Sequence, residues 1–181
     1  MNEELTELGK IEMVETPEIQ KASLEKLRRL LEEEDDLRIP PDDVLLKFLR
    51  CRKYRIQDAS RTVKNYFCAR RDIPEYFDNL TPSSIPYKAV IQDHELLLCP
   101  KERDPQGRAV VVLRSGAWKR ELCSMDDFVR CCLVGAEYVL LDCEAQIQGV
   151  VVILDLQGLA VRDIAELTPT FLRRVLALMQ A

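Results

Sequence analysis

The hydrophobic positions near the start of the chain recur at helical spacing. Thr16 and Pro17 have the form of a helix N-cap followed by proline at the first helical position. The apolar stripe that follows consists of Leu24, Leu27, Leu30 and Leu31. Two more helices are predicted, one after the proline break at 39–41 and one over about 57–71, before Pro74. Residues 1–81 are therefore predicted to form an N-terminal helical region.

The period of the pattern changes after the segment 82–86, which holds two prolines and two serines. The runs 95–99 and 109–113, mostly apolar, are predicted strands joined through a turn that contains Gly107, so they predict a hairpin. A long helix is predicted over 124–146, and a last helix begins at Thr168 and Pro169.

The run 149–154 is apolar without alternation, which is typical of a strand buried on both faces of a parallel or mixed sheet. Together with the hairpin and the two helices, it predicts an α/β domain over 82–181, in which a mixed sheet is flanked by helices.

Composition and charge exclude several classes of function. The chain has 181 residues, 47% hydrophobic content and a formal net charge of -5. It can bury a core, but it has no large basic field of the kind that nucleic-acid binding needs. No apolar run approaches the roughly 18 residues of a transmembrane segment, and the acidic start has no apolar signal region. We therefore expect a soluble protein of the cytoplasm, whose seven cysteines are reduced thiols.

The motifs that could carry chemistry are weak. Asp155 and Gly158 form D-x-x-G, but a GTPase also needs a glycine-rich phosphate loop with a lysine, and no such loop is present. His94 is the only histidine, so neither a metal site nor a Cys–His nucleophile is predicted. Cys131 and Cys132 are interpreted as packing residues. A pair of hydrolytic carboxylates leaves no mark in one sequence, so catalysis is unsupported but not disproved.

The apolar residues exceed what a three-stranded sheet can bury. They are carried by the long helix, the run 149–154 and the last helix. Two explanations stay open from the residues alone: a fully packed core, or a cavity for an apolar ligand, whose walls need few polar groups.

Three motifs in the same order resemble the CRAL-TRIO, or Sec14-like, lipid-binding family. Residues 42–54, DDVLLKFLRCRKY, are similar to the opening of the family's N-terminal helical region. Residues 103–112, RDPQGRAVVV, resemble its hairpin, and residues 149–158, GVVVILDLQG, resemble its strand that ends in D-x-x-G. The resemblance runs from about Leu24 onwards and is closest to the branch of tocopherol-transfer and retinaldehyde-binding proteins.

The resemblance implies a lipid carrier that is not an enzyme, uses no cofactor or metal, and holds a small tocopherol-like or retinoid-like molecule. Asp155 and Gly158 then end a strand that floors the cavity and turn the chain. The positions that match lipid-lining sites are Val129, Cys132, Ala136, Val150, Leu154, Val175, Leu178 and Met179. Arg52 and Arg61 match phosphoinositide-contacting positions, which implies peripheral exchange at phosphoinositide-containing membranes such as endosomes; a solvated helix surface is the alternative for both.

The sequence also departs from the family. Cys132 and Ala136 stand where hydroxyls are found, and Leu159 stands where tryptophan is found, so the ligand's identity does not carry over. The family's domain continues farther than this chain, so we expect a truncated form in which roughly one face of the strand 149–154 and of an apolar helix is exposed to water. We also expect marginal stability and weak or absent lipid retention. Two other functions stay open: an interaction or membrane-surface module with the same fold, and, on D-x-x-G alone, a nucleotide hydrolase.

Overall fold

The structure is a computed structural model that describes residues 15–34 and 37–180. The chain divides into two compact units, residues 1–60 and 61–181, and one helix, α3 (Ile56–Asp72), spans the division. The predicted helical region 1–81 includes residues 1–14 and 35–36, which lie outside the described residues. Its boundary after residue 81 stays a prediction.

The first unit is built from two packed helices, α1 (Pro17–Glu32) and α2 (Asp42–Cys51). The predicted cap of α1 is confirmed, because the Thr16 hydroxyl accepts a hydrogen bond from the Ile19 amide at 3.3 Å. The leucines that α1 and α2 bury are Leu27, Leu31, Leu45 and Leu49. At the start of α2, the Asp42 carboxylate lies 2.7 Å from the Arg28 guanidinium and ties the two helices together.

A largely buried ion pair also stabilises the first unit. The Glu15 carboxylate accepts hydrogen bonds from the Arg50 guanidinium at 2.9 Å and the Tyr54 hydroxyl at 2.6 Å. Burial by itself raises the pKa of Glu15, but the hydrogen bonds from Arg50, Tyr54 and Gln20 outweigh it, and the net effect lowers the pKa. The folded chain therefore favours the ionised form of Glu15.

Replacing this carboxylate should weaken the first unit in a pH-dependent manner. Because the pKa of Glu15 is lower in the folded than in the unfolded chain, its contribution is present above the unfolded value of 4.5 and is lost as the pH falls through the folded value. We expect Glu15→Gln to reduce the opening free energies of α1 and α2 amides by about 1–2 kcal/mol at pH 7, and by less at pH 3. Native-state hydrogen exchange measures these energies.

The matched control is Glu25→Gln, which makes the same change of charge in the exposed pair that Glu25 forms with Arg29 at 3.5 Å. Equal losses in the two variants at pH 7 would contradict a special role for the buried pair.

The second unit continues α3 and adds five helices and three strands. The helices are α4 (Pro74–Phe77), α5 (Met125–Val139), α6 (Cys143–Gln148), α7 (Val161–Ile164) and α8 (Pro169–Gln180). The strands are β1 (Leu97–Leu98), β2 (Ala109–Leu113) and β3 (Val150–Leu154). Two 3-10 turns, Pro82–Ser84 and Ser115–Ala117, and a π-helical segment, Lys88–Asp93, complete the unit.

The strands form one mixed sheet in the order β1-β2-β3. β1 and β2 are antiparallel, with Leu97 opposite Leu113, which confirms the predicted hairpin, although β1 is shorter than the run 95–99. β2 and β3 are parallel, with Ala109 opposite Val150, and the connection between them runs through α5 and α6. The predicted α/β class with a mixed sheet is confirmed.

The prediction of one long helix over 124–146 was wrong. The backbone leaves helical geometry at the end of α5, and Asp142 then caps α6, its carboxylate accepting a hydrogen bond from the Glu144 amide at 2.9 Å. An aspartate at this position stabilises a helix start rather than a helix interior, so the apolar pattern continues while the helix does not.

The apolar pattern of the run 149–154 indicated burial on both faces, which was wrong, whereas the expected exposure of one face of this strand is observed. Val152 is 54% exposed and Leu154 is 60% exposed. Within the residues that the structure describes, β3 is an edge strand with no strand on its outer side. The unalternating apolar run therefore predicts the strand correctly, but it does not predict how far the strand is buried.

Two hydrophobic clusters lie on α5. The first consists of Ile85, Val90, Leu96, Leu97, Trp118, Phe128 and Cys131. The second consists of Ala69, Ile73, Tyr76 and Phe77, from α3, α4 and the residue between them. α5 contributes Phe128 and Cys131 to the first cluster and packs Val129 and Leu133 against the second. Cys131 is thus the packing residue that the sequence predicts.

Candidate functional site

The D-x-x-G segment is a structural turn at the end of β3. The Asp155 carboxylate accepts a hydrogen bond from the Gln157 amide at 2.9 Å, and the Asp155 amide donates to the Leu113 carbonyl at 2.8 Å. Gly158 has φ +89°, in the region that favours glycine. Both residues are therefore occupied in turning the chain.

A partly buried ion pair holds this turn on the segment that follows β2. The Lys119 ammonium donates to the Gly158 carbonyl at 3.1 Å and lies 3.0 Å from the Asp163 carboxylate. Asp163 is buried and also accepts a hydrogen bond from the Ala160 amide at 3.0 Å. The Gly116 amide donates to the Asp155 carbonyl at 2.9 Å. These contacts determine where the chain runs after β3.

The three predicted lipid positions on α5 have different surroundings. Val129 is half-buried against the second cluster, Cys132 is half-buried against the first, and Ala136 is exposed. Burial, together with the neighbouring thiols of Cys131, Cys123 and Cys99, raises the pKa of Cys132 to about 12. Its side chain is therefore a neutral, weakly polar group at neutral pH.

The other predicted lipid positions lie on β3 and α8. Val150 and Leu154 are exposed and, being separated by an even number of residues, share one face of β3. On α8, Val175 is half-buried, Leu178 packs against the second cluster, and Met179 is 78% exposed. Val129 and Leu178 thus both pack against the second cluster. Whether the eight positions line a ligand site stays a prediction.

The structure also exposes apolar residues that belong to the predicted strand and last helix but that the family resemblance did not select. Val152 lies between Val150 and Leu154 on the same face of β3. Leu172 and Leu176 continue one exposed stripe with Met179 along α8. The spacings, every second residue on the strand and three or four residues apart on the helix, are the signals that could have identified them.

Both predicted phosphoinositide residues are exposed. Arg52 is the C-cap of α2 in the first unit, where its carbonyl accepts a hydrogen bond from the Arg55 side chain at 3.3 Å. Arg61 lies on α3 and begins the second unit. Their role at a membrane stays a prediction.

The described residues contain neither a metal-binding cluster nor a membrane-spanning helix. Among residues 15–34 and 37–180, no group of three or more histidine, cysteine or acidic side chains is arranged to hold a metal ion. Over the same ranges, each helix is too short or too polar to cross a bilayer.

Residues 93–181, which include the whole sheet, match the model of the CRAL/TRIO domain. This part of the chain belongs to the CRAL/TRIO domain family. The mixed α/β fold agrees with this membership.

The chain is also similar to curated proteins over nearly its whole length. It is 29% identical to "Alpha-tocopherol transfer protein-like" of Homo sapiens, over 99% of this chain and 52% of that protein. It is 28% identical to "Clavesin-1" of Xenopus laevis, over 96% and 52%, and 25% identical to "Clavesin-2" of Rattus norvegicus, over 96% and 53%. The chain thus spans about half the length of the curated relatives it matches.

Proposed function

We propose that this chain is the lipid-handling part of a cytoplasmic, non-enzymatic carrier. The ligand is a small hydrophobic molecule, tocopherol-like or retinoid-like, and it is exchanged at phosphoinositide-containing membranes to which the protein binds peripherally, including those of endosomes. The observation that carries the proposal is the exposed apolar face of β3, formed by Val150, Val152 and Leu154 within the CRAL/TRIO match.

Binding of such a ligand is favoured by the transfer of apolar surface out of water. Each methylene of a ligand that leaves water contributes about 0.8 kcal/mol, so an apolar face can bind a hydrophobic molecule with few polar contacts. A tocopherol or a retinoid is mostly hydrocarbon, and a neutral Cys132 beside the first cluster adds no buried charge. The similarity to a protein named alpha-tocopherol transfer protein-like supports the same class of ligand.

A second candidate function is a binding module of the same fold that holds no lipid. The outer edge of β3 favours it, because an unpaired strand edge can accept a strand from a partner protein. This candidate and the carrier differ in whether the purified chain binds a small apolar molecule.

The two candidates are separated by titrating the purified chain with a tocopherol and with a retinoid, followed by fluorescence. A carrier gives weak, saturable and reversible binding that Val152→Asp abolishes, because the new carboxylate puts a charge on the apolar face. The control is Val161→Asp, at a site that is 85% exposed and not on β3. Absence of saturable binding would refute the carrier function for this chain and leave the module.

Binding to vesicles tests the predicted membrane role of Arg52 and Arg61. We expect the double variant Arg52→Glu/Arg61→Glu to weaken binding to vesicles containing phosphatidylinositol bisphosphate by about tenfold or more, since each basic residue near an anionic surface contributes about 1 kcal/mol. Vesicle flotation measures the bound fraction. Arg38→Glu/Arg173→Glu changes the net charge equally at two other exposed arginines. Equal losses in both double variants would show that net charge, and not these positions, governs binding.

A further inference from the structure

A groove lies where β2 begins and α5 ends, within the second unit. Its volume is about 420 Å³, inside the range of about 300–1,000 Å³ that is usual for small-molecule sites. None of the eight predicted lipid positions and neither predicted phosphoinositide residue lines it. The groove is therefore a site separate from the one under the proposed function.

One wall of the groove is apolar and exposed to solvent. Tyr138 and Leu141, at the end of α5 and just beyond it, are 67% and 71% exposed. Val139 between them is buried, and Val110 at the start of β2 also lines the groove. Large apolar side chains in a concave site gain free energy when an apolar group covers them.

The charges around the groove leave one cation unneutralised. Arg103 is ion-paired with Asp142 and lies 3.3 Å from the Glu144 carboxylate, and it also donates to the Gly107 carbonyl at 3.0 Å. Lys101 has no hydrogen-bond or ion-pair partner among the described residues. Its neighbour Glu102 does not line the groove.

The helix end near the groove does not cancel this positive charge. The last carbonyls of α5 carry partial negative charge, but the two at the very end of the helix already accept hydrogen bonds from the chain itself. The Leu140 carbonyl accepts from the Gln146 side-chain amide at 2.8 Å, and the Val139 carbonyl accepts from the Asp142 amide at 3.2 Å. Lys101 is thus the one lining charge that a ligand can neutralise.

We propose that this groove binds an amphiphile that carries one carboxylate. The hydrocarbon part covers Tyr138 and Leu141, and the carboxylate accepts hydrogen bonds from the Lys101 ammonium. An apolar wall beside a single unpaired cation matches such a molecule in both shape and charge.

The experiment is calorimetric titration of the full chain with decanoate and with 1-decanol, which has the same chain length without the charge. Lys101→Met should weaken decanoate binding about tenfold, the effect of one hydrogen bond to a charged group, and should leave decanol binding unchanged. Leu141→Ser should weaken both ligands, because both lose the apolar contact. The matched controls are Lys88→Met and Leu172→Ser, at an exposed lysine and an exposed leucine away from the groove.

Two results would overturn the proposal. One is equal decanoate affinity in the wild-type and Lys101→Met chains. The other is a loss of decanoate binding in Leu172→Ser that Leu141→Ser does not share, which would place the ligand on α8. Both outcomes leave the carrier proposal intact, because its test depends on Val152, which does not line the groove.

Discussion

Gly116→Ala is expected to lower the free energy of unfolding of the second unit by about 3 kcal/mol or more. A Cβ on Gly116 would lie 2.3 Å from the backbone carbonyl carbon of Leu156 and 2.4 Å from the carbonyl oxygen of Gln157. Neither atom belongs to a side chain that can rotate away. The turn after β3 would have to move as a whole, and the Gly116–Asp155 and Lys119–Gly158 hydrogen bonds would break with it.

Urea unfolding followed by circular dichroism measures this loss. Ser115→Ala, at the neighbouring position, removes a hydroxyl and adds no atom, so it should cost little. Gly135→Ala is the informative comparison, because its Cβ would meet Leu97 Cδ2 at 2.6 Å, the end of a side chain that can move. We expect Gly135→Ala to cost about 1–2 kcal/mol. A smaller loss in Gly116→Ala than in Gly135→Ala would contradict the close backbone approach.

Trp118→Ala is expected to cost about 3–5 kcal/mol, comparable to the whole stability of a marginal domain. Trp118 is 1% exposed and lies in the first cluster with Phe128 and Leu96. Its removal deletes the largest fully buried side chain of the described residues and leaves a cavity that the sheet and α5 cannot both move to fill.

Thermal unfolding by circular dichroism measures the effect, since Trp118 is the only tryptophan and its removal abolishes tryptophan fluorescence. Tyr87→Ala removes an aromatic side chain that is exposed, and it should change the unfolding temperature little. If both variants unfolded at the same temperature, the first cluster would not be the core that stabilises this unit.

Local signals in the sequence predicted local structure well. The cap at Thr16, the turn at Gly107 and the turn at Gly158 depend on residues that are close in sequence, and each was found where expected. The order of strands and helices also followed from periodicity. The break after α5 was missed because an aspartate at position 142 is compatible with two structures. It could lie on the polar face of a continuous helix or cap the start of a new one.

Features that depend on distant residues could not be read from the pattern. The Lys119–Asp163 pair joins residues 44 apart, and neither residue belongs to a motif. The exposure of β3 depends on whether another element covers it, which an apolar run does not encode. The groove at Lys101 is assembled from the segment after β1, the start of β2, and the end of α5 with the residues just beyond it, so its residues share no spacing.

The candidate site was only partly accessible to sequence reasoning. The family motifs selected apolar positions on three elements, and in the structure Val129 and Leu178 both pack against the second cluster. The resemblance could not select Val152, because it was applied only at positions that match known lining sites. The apolar pattern of the strand itself includes Val152.

The open side of β3 has a practical consequence for handling the protein. Val150–Leu154 is a run of five branched aliphatic residues with no charge and no proline, and its outer backbone groups are unpaired by any strand of the described chain. Such an edge is a template for intermolecular strand pairing and fibril formation at high concentration. Dilute storage, and a lysine introduced on this edge, are the measures that should keep preparations monodisperse.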